Sequence, residues 1–301
     1  MAIPVKIEND ALAMEIWPLI GGKVSSIVDK ADKFELLFNY PSEIPPASQY
    51  DRPYGMSWYA GWDECFPAVG GGPYVGHPYD GIGIPDHGEL WGIPTTAVPT
   101  KNGITTVWHG LRFGYRLTRK LYLEDNSLIA DYTLVNVAPF EFRFVWALHA
   151  LMSMASPAEI DLGESAPPFA LLQDAEGKNV YQSFSWPTVE SGCDLSSLRS
   201  LPAKRRWKSF SANPIEQRAL VKYPERRRQL SIEYVSADVP AYWGIWINTG
   251  AWAGHHHFAI EPTTGRSDWI DAAVRDASAG RVAPLGRVDW QVRMTAAAIT
   301  T

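Results

Sequence analysis

Leu111-Arg112-Phe113-Gly114-Tyr115-Arg116-Leu117-Thr118-Arg119-Lys120-Leu121-Tyr122-Leu123 runs into Glu124-Asp125-Asn126-Ser127 and returns as Leu128-Ile129-Ala130-Asp131-Tyr132-Thr133-Leu134-Val135-Asn136-Val137. Two β-rich runs flank a polar turn, which reads as a hairpin. Outward from it the pattern repeats. Short alternating runs over residues 12–17, 23–29, 34–38, 229–236, 242–249 and 287–295 are separated by Gly, Pro, Asn and Asp. Helical periodicity is scarce. An all-β sandwich or barrel is expected, with few short helices, as a single domain over residues 1–301.

Two segments break this pattern. Residues 40–85 carry many prolines, glycines and aromatics, too many for regular strands, and read as a long ordered loop of the functional kind. Residues 156–214 are less regular and more polar, and read as a lid or insertion.

The composition excludes several classes. A net charge of −6 over 301 residues argues against a general nucleic-acid binder, and the short Arg runs 205–206 and 226–228 sit among acidic neighbours. The first residues lack a charged-then-apolar signal pattern, and the longest apolar run, near residues 144–154, contains His149 and is shorter than a membrane span. Cys65 and Cys193 make neither a disulfide framework nor a zinc knuckle. The expectation is a cytoplasmic protein with no cofactor, no metal, no nucleic-acid or membrane partner and a small-molecule ligand; a homodimer is the oligomer considered.

The stretch His255-His256-His257-Phe258-Ala259-Ile260-Glu261-Pro262-Thr263-Thr264-Gly265 reads as a strand entering a turn. Side chains alternate along a strand, so His255, His257, Ala259 and Glu261 share one face and His256, Phe258 and Ile260 the other, which is core. In Phe142-Arg143-Phe144-Val145-Trp146-Ala147-Leu148-His149, the even-numbered residues form core. Val145, Ala147, His149 and Leu151 then leave a hollow with His149 at its wall. A carboxylate at Glu261 and imidazoles at His149 and His87 suit a reaction that deprotonates one oxygen while protonating another, such as opening a cyclic sugar hemiacetal. Trp62, Trp91, Trp243 and Trp246 are candidate stacking surfaces for a sugar.

Together these motifs resemble the aldose 1-epimerase, or galactose mutarotase-like, family. Gly21-Gly22-Lys23-Val24-Ser25-Ser26 with Glu35-Leu36-Leu37 is similar to its opening strands. Glu64-Cys65-Phe66-Pro67 resembles the Cys-Phe-Pro loop of its hexose-phosphate branch, and Asp86-His87-Gly88 its His-Gly motif. The hairpin with Asn136 leading to His149 resembles the central block, Ile260-Glu261-Pro262-Thr263-Thr264-Gly265 the Glu-Pro motif, and Ala283-Pro284-Leu285-Gly286 to Trp290 the closing strands. The resemblance implies a large antiparallel β-sandwich holding a sugar on one concave sheet. It implies His149 as general acid at the ring oxygen, Glu261 as general base at the anomeric hydroxyl, on opposite edges of one pyranose, and His87 as a second oxygen contact. Lys23, Trp62, Asp63, Glu64, Trp246, Asn248 and Arg266 are candidate substrate-binding residues. The activity implied is interconversion of the α and β anomers of an aldose. Charge near the motifs, at Lys23, Arg52 and Arg266, extends the expectation to an acidic sugar: a phosphate, a sulfonate such as sulfoquinovose, or a uronate.

Three rivals stand beside it. A non-catalytic carbohydrate-binding sandwich would use the same aromatics. A hydrolase would need a second carboxylate, which Asp63 or Glu64 could supply. A metal site at His255 and His257 would need another ligand, because Glu261 lies about 13 Å further along the strand.

Overall fold

The computed structural model describes residues 3–40, 43–47, 49–190 and 193–299. Two large antiparallel sheets pack face to face. The first runs in the order Val5–Glu8, Leu12–Trp17, Lys23–Asp29, Trp62–Cys65, Ala147–Ala150, His256–Thr263, Tyr242–Thr249, Arg206–Ser211, Pro168–Gln173 and Asn179–Ser185. The second runs Glu159–Asp161, Ala219–Tyr223, Arg228–Val235, Arg287–Ala298, Ser127–Asn136, Tyr115–Glu124, Gly103–His109 and Thr96–Pro99. Three two-stranded ribbons, one short α-helix, Ile270–Arg275, and a few 3-10 turns accompany the two sheets among the described residues. No helix there is long and apolar enough to cross a membrane.

The hairpin that opened the sequence reading is present, with its turn at Asp125 and Asn126 and Leu117 facing Leu134. Its first strand begins at Tyr115 rather than at residue 111. Tyr115, Leu117, Leu121 and Leu123 point inward, where they share one core with Trp62, Trp146, Leu148, Ile245 and Ile260 of the facing sheet. Burial of such side chains stabilises by about 1.5–3 kcal/mol each.

One inward position breaks the apolar pattern. Arg119 is fully buried, and its Nη1 donates to Glu64 Oε1 at 2.8 Å. Tyr132 Oη donates to the same oxygen at 2.8 Å and Trp146 Nε1 to Glu64 Oε2 at 2.7 Å. The guanidinium also bonds the Gly22 carbonyl and lies over the Trp62 and Trp108 rings. Two charges are thereby carried into the space between the sheets, with every Glu64 oxygen occupied.

Both irregular segments turn out to supply strands of the first sheet. Trp62–Cys65, inside the proline-rich stretch, lies at its centre between Lys23–Asp29 and Ala147–Ala150. The stretch read as a lid contributes Pro168–Gln173, Asn179–Ser185 and Arg206–Ser211 to it. These strands are short and bounded by turn residues, so their alternation is hard to see locally. Their pairing partners lie far away in the chain.

Candidate active site

Register brings the site together. His149 pairs with Asp63, and Ala147 with Thr263, so two residues further along each strand His149 and Glu261 come opposite. Glu261 pairs with Gly244, Trp246 with Ala259, and Lys208 with Trp246. Asp63, His149, Glu261, Trp246 and Lys208 therefore share one face. Gly244 matters here, because a Cβ on it would lie 3.1 Å from Glu261 Oε2 and 3.3 Å from the Phe210 ring. A glycine leaves that space to the carboxylate.

His149 Nε2 lies 3.8 Å from Glu261 Oε1. The two groups stand side by side rather than facing each other across a ring. This corrects the expectation of opposite edges. In a hemiacetal the ring oxygen and the anomeric hydroxyl share one carbon, so adjacent groups are the arrangement that reaches both.

Glu261 is buried, and its Oε2 accepts from Lys208 Nζ. Lys208 Nζ is also 3.6 Å from Asp268 Oδ1. Burial raises the Glu261 carboxyl above its ordinary range, and Lys208 opposes the rise. Burial disfavours the Lys208 ammonium, yet Asp268 and Glu261 outweigh it and hold its pKa above the usual value. Lys208 is thus held as the ammonium beside Glu261. Glu261 Oε1 has no hydrogen-bond partner and stays available as an acceptor.

Burial pushes His149 well below its ordinary pKa, and His87, Lys208, His257 and Lys23 add to the effect. Tyr54 Oη donates to Asp63 Oδ2 at 2.8 Å and lies 3.3 Å from His149 Nδ1. With its hydrogen spent on the carboxylate, the phenol accepts from Nδ1–H and turns Nε2 toward Glu261. Lys23 Nζ closes the chain by donating to Asp63 and to Ala60 O, the latter at 3.0 Å.

His87 stacks on Tyr54 with ring centroids 3.9 Å apart and lies 5.0 Å from the His149 ring. Its Nδ1 is 2.8 Å from Asp86 Oδ1, and Asp86 Oδ2 accepts from Tyr54 N at 2.9 Å. The turn that presents it depends on Gly88, at φ +77°, where a Cβ would lie 2.1 Å from Phe66 O. Gly88→Ala is expected to cost about 2 kcal/mol or more, from the left-handed backbone and the backbone clash together. Thermal unfolding checks this; an unchanged Tm would show that the turn relaxes freely.

The cavity above these groups has a volume of about 230 Å³. Tyr54, His87, His149, Lys208, Trp246 and Asp268 are on its wall, with Tyr59, Trp252 and Trp269 around them. Glu261 lies just behind His149 and Lys208.

Most of the other candidates stand elsewhere. Trp62 and Glu64 alternate with Asp63 and so face the core, where Glu64 is consumed by Arg119, Tyr132 and Trp146; it cannot serve as a hydrolytic carboxylate. Asp63 and Lys23 lie on the site face but beneath Tyr54, acting on His149 through it. Asn248 is fully buried, and its amide donates to Trp252 O and His255 O at 3.2 and 2.8 Å. Arg266 donates to Ala212 O at 3.0 Å and pairs with Asp276 at 3.2 Å, on the wall of a different hollow. Trp243 is in the core, and Trp91 is buried, donating to Asp86 O at 2.8 Å. Arg52 is beside a separate small hollow. His255 packs against Phe38, Tyr40 and Tyr59, while His257 lies 3.3 Å from Asn248 and is lowered to about pKa 3, chiefly by burial.

Sequence reasoning missed Tyr54, Lys208 and Asp268. Lys208 left a trace, a lysine flanked by apolar and small residues in Arg206-Trp207-Lys208-Ser209-Phe210-Ser211. Tyr54 left none, because it sits in a 3-10 turn of the proline-rich stretch.

No protein-family model matches the chain, and no curated protein does. Solved structures do. A galactose mutarotase-like protein from Lactobacillus casei superposes with a TM-score of 0.70 at 16% identity, covering 98% of this chain and 100% of that one. One from Clostridium acetobutylicum superposes with a TM-score of 0.71 at 14% identity, over 99% and 96%. A galactose mutarotase related enzyme from Lactobacillus acidophilus gives 0.68 at 14%, over 99% and 98%. At this identity the likeness is one of architecture, and it spans both chains almost end to end: the protein has the galactose mutarotase-like β-sandwich fold.

Proposed function

We propose that the protein is an aldose 1-epimerase with His149 as general acid and Glu261 as general base. The observation that carries this reading is the buried pair itself. The His149 imidazole is on the wall of a cavity lined by aromatic side chains, and the Glu261 carboxylate lies 3.8 Å behind it. The cavity, at about 230 Å³, is smaller than the ~300–1,000 Å³ typical of drug-sized ligands and suits one sugar ring.

Glu261 takes the proton of the anomeric hydroxyl. The bond from the anomeric carbon to the ring oxygen breaks, and its electron pair goes to that oxygen. The oxygen takes the proton that His149 carries on Nε2, while Nδ1–H stays on Tyr54. Rotation of the open aldehyde and the reverse steps close the ring on the other face. Burial lowers the His149 pKa, so its doubly protonated form is the minor one and a strong acid when it forms, while Lys208 opposes the rise that burial gives the Glu261 carboxyl. His87 contacts an oxygen beside them.

The electrostatics favour an uncharged aldose over an acidic one. Lys23 and Lys208 are both spent on carboxylates, and Asp63, Asp86, Glu261 and Asp268 surround them. Among the described residues lining the cavity none offers an unpaired cation. A phosphate, sulfonate or carboxylate would meet acceptors, whereas hydroxyls would meet partners.

Anomer-exchange NMR, with the spontaneous rate subtracted, tests the reading. His149→Asn is expected to lose at least about a hundredfold in kcat/KM, as for removal of a general acid. His87→Asn should lose about tenfold, the worth of one strong hydrogen bond. Exchange at the spontaneous rate in the wild-type protein, with sugar still bound, would instead leave a carbohydrate-binding sandwich.

A further inference from the structure

The cavity shares walls with further hollows. Gly70 and Trp269 line it and also line a second hollow of about 550 Å³, whose other side carries Asn179 and Tyr181 of the edge hairpin and Arg275 of the helix. Tyr181 and Arg275 belong in turn to a third hollow, of about 440 Å³, along the same hairpin. The first space has room for one small ring, and the second adjoins it at Gly70 and the Trp269 indole.

The walls have the chemistry of a sugar surface. The Trp269 ring lies against the Gly70 backbone, so closely that a Cβ there would come within 2.5 Å of it. Tyr181 is 65% exposed, although it is a large aromatic within a strand. It is also held at φ +51°, a conformation that bulky residues seldom adopt and that recurs at ligand-contacting positions. At the divide, Gln173 Nε2 donates to Asn179 Oδ1 at 3.4 Å, so two amides stand between the hollows with groups that suit hydroxyls. The charges are internally balanced: Arg275 pairs with Asp271 at 2.7 Å and Arg266 with Asp276 at 3.2 Å. Aromatic faces, amides and no loose charge fit a neutral carbohydrate.

We infer that this groove is a second sugar subsite, and that the protein acts on the reducing end of a di- or oligosaccharide. The inference rests on the epimerase reading. The anomeric carbon of the terminal ring sits at His149 and Glu261, and the next ring lies against Trp269 and Tyr181.

Anomer exchange is measured on glucose, galactose and xylose, and on reducing disaccharides joined 1→3, 1→4 and 1→6. At least one disaccharide is expected to show a kcat/KM about tenfold or more above the free monosaccharide of its reducing end. Tyr181→Ala, an exposed position remote from the acid–base pair, should lower that disaccharide value about two- to tenfold, the worth of one aromatic contact. It should leave the monosaccharide value unchanged. Exchange that never favours a disaccharide, or a Tyr181→Ala effect equal on both classes, overturns the subsite alone. Absence of exchange with every sugar overturns the epimerase reading and the subsite with it.

Discussion

On the epimerase reading, Glu261→Gln is expected to lower catalysed anomer exchange by about 10²–10⁴-fold and to leave the protein folded. The substitution is nearly isosteric. An amide oxygen still accepts from the Lys208 ammonium, and Asp268 continues to balance that charge. What is lost is the proton acceptor at Oε1, the one carboxylate oxygen of Glu261 without a partner. His149, Tyr54 and the aromatic walls remain, so sugar binding is expected to survive while the rate falls. Exchange NMR beside a binding titration separates the two. A variant that still exchanges within threefold of wild type removes Glu261 from the chemistry.

Glu64→Ala should cost about 3–5 kcal/mol of folding stability, the usual penalty for orphaning a buried charge. For a domain of this size that is a fall of roughly 10 °C in Tm. The mutation strips Arg119 of its ion pair and Tyr132 and Trp146 of their acceptor, all fully buried between the sheets. The double variant Glu64→Ala with Arg119→Met should recover part of the loss, because an uncharged filler needs no partner. Thermal and urea unfolding of the single and double variants check this. A single-variant shift below about 2 °C would mean that the guanidinium reaches solvent or another anion. Such a result would also reopen Glu64 as a functional carboxylate.

Much of this was legible within individual strands. The 256–263 strand was readable as one face carrying His257 and Glu261 and a core face carrying Phe258 and Ile260, and the alternation is found that way. The same holds for Trp146 and Leu148 against His149. Trp62, Asp63 and Glu64 show where such reading stops. They sit in a four-residue strand amid prolines, and their motif resemblance carried no information about which of them faces the candidate site. Lys208 was hidden differently: a lone lysine becomes informative only once Glu261 and Asp268 are known to surround it.

Side-chain alternation is a local property, set by the two-residue period of an extended backbone, so the residues themselves determined the all-β class and the partition of each strand into two faces. Which strands become neighbours is decided by long-range hydrogen bonding, and at what register. The pairings of His149 with Asp63 and of Glu261 with Gly244 join positions 86 and 17 residues apart, counted as 149 − 63 and 261 − 244. Only that tertiary pairing put the imidazole beside the carboxylate, turned Glu64 inward to Arg119, and brought a lysine and a tyrosine from irregular stretches onto the two ends of that pair.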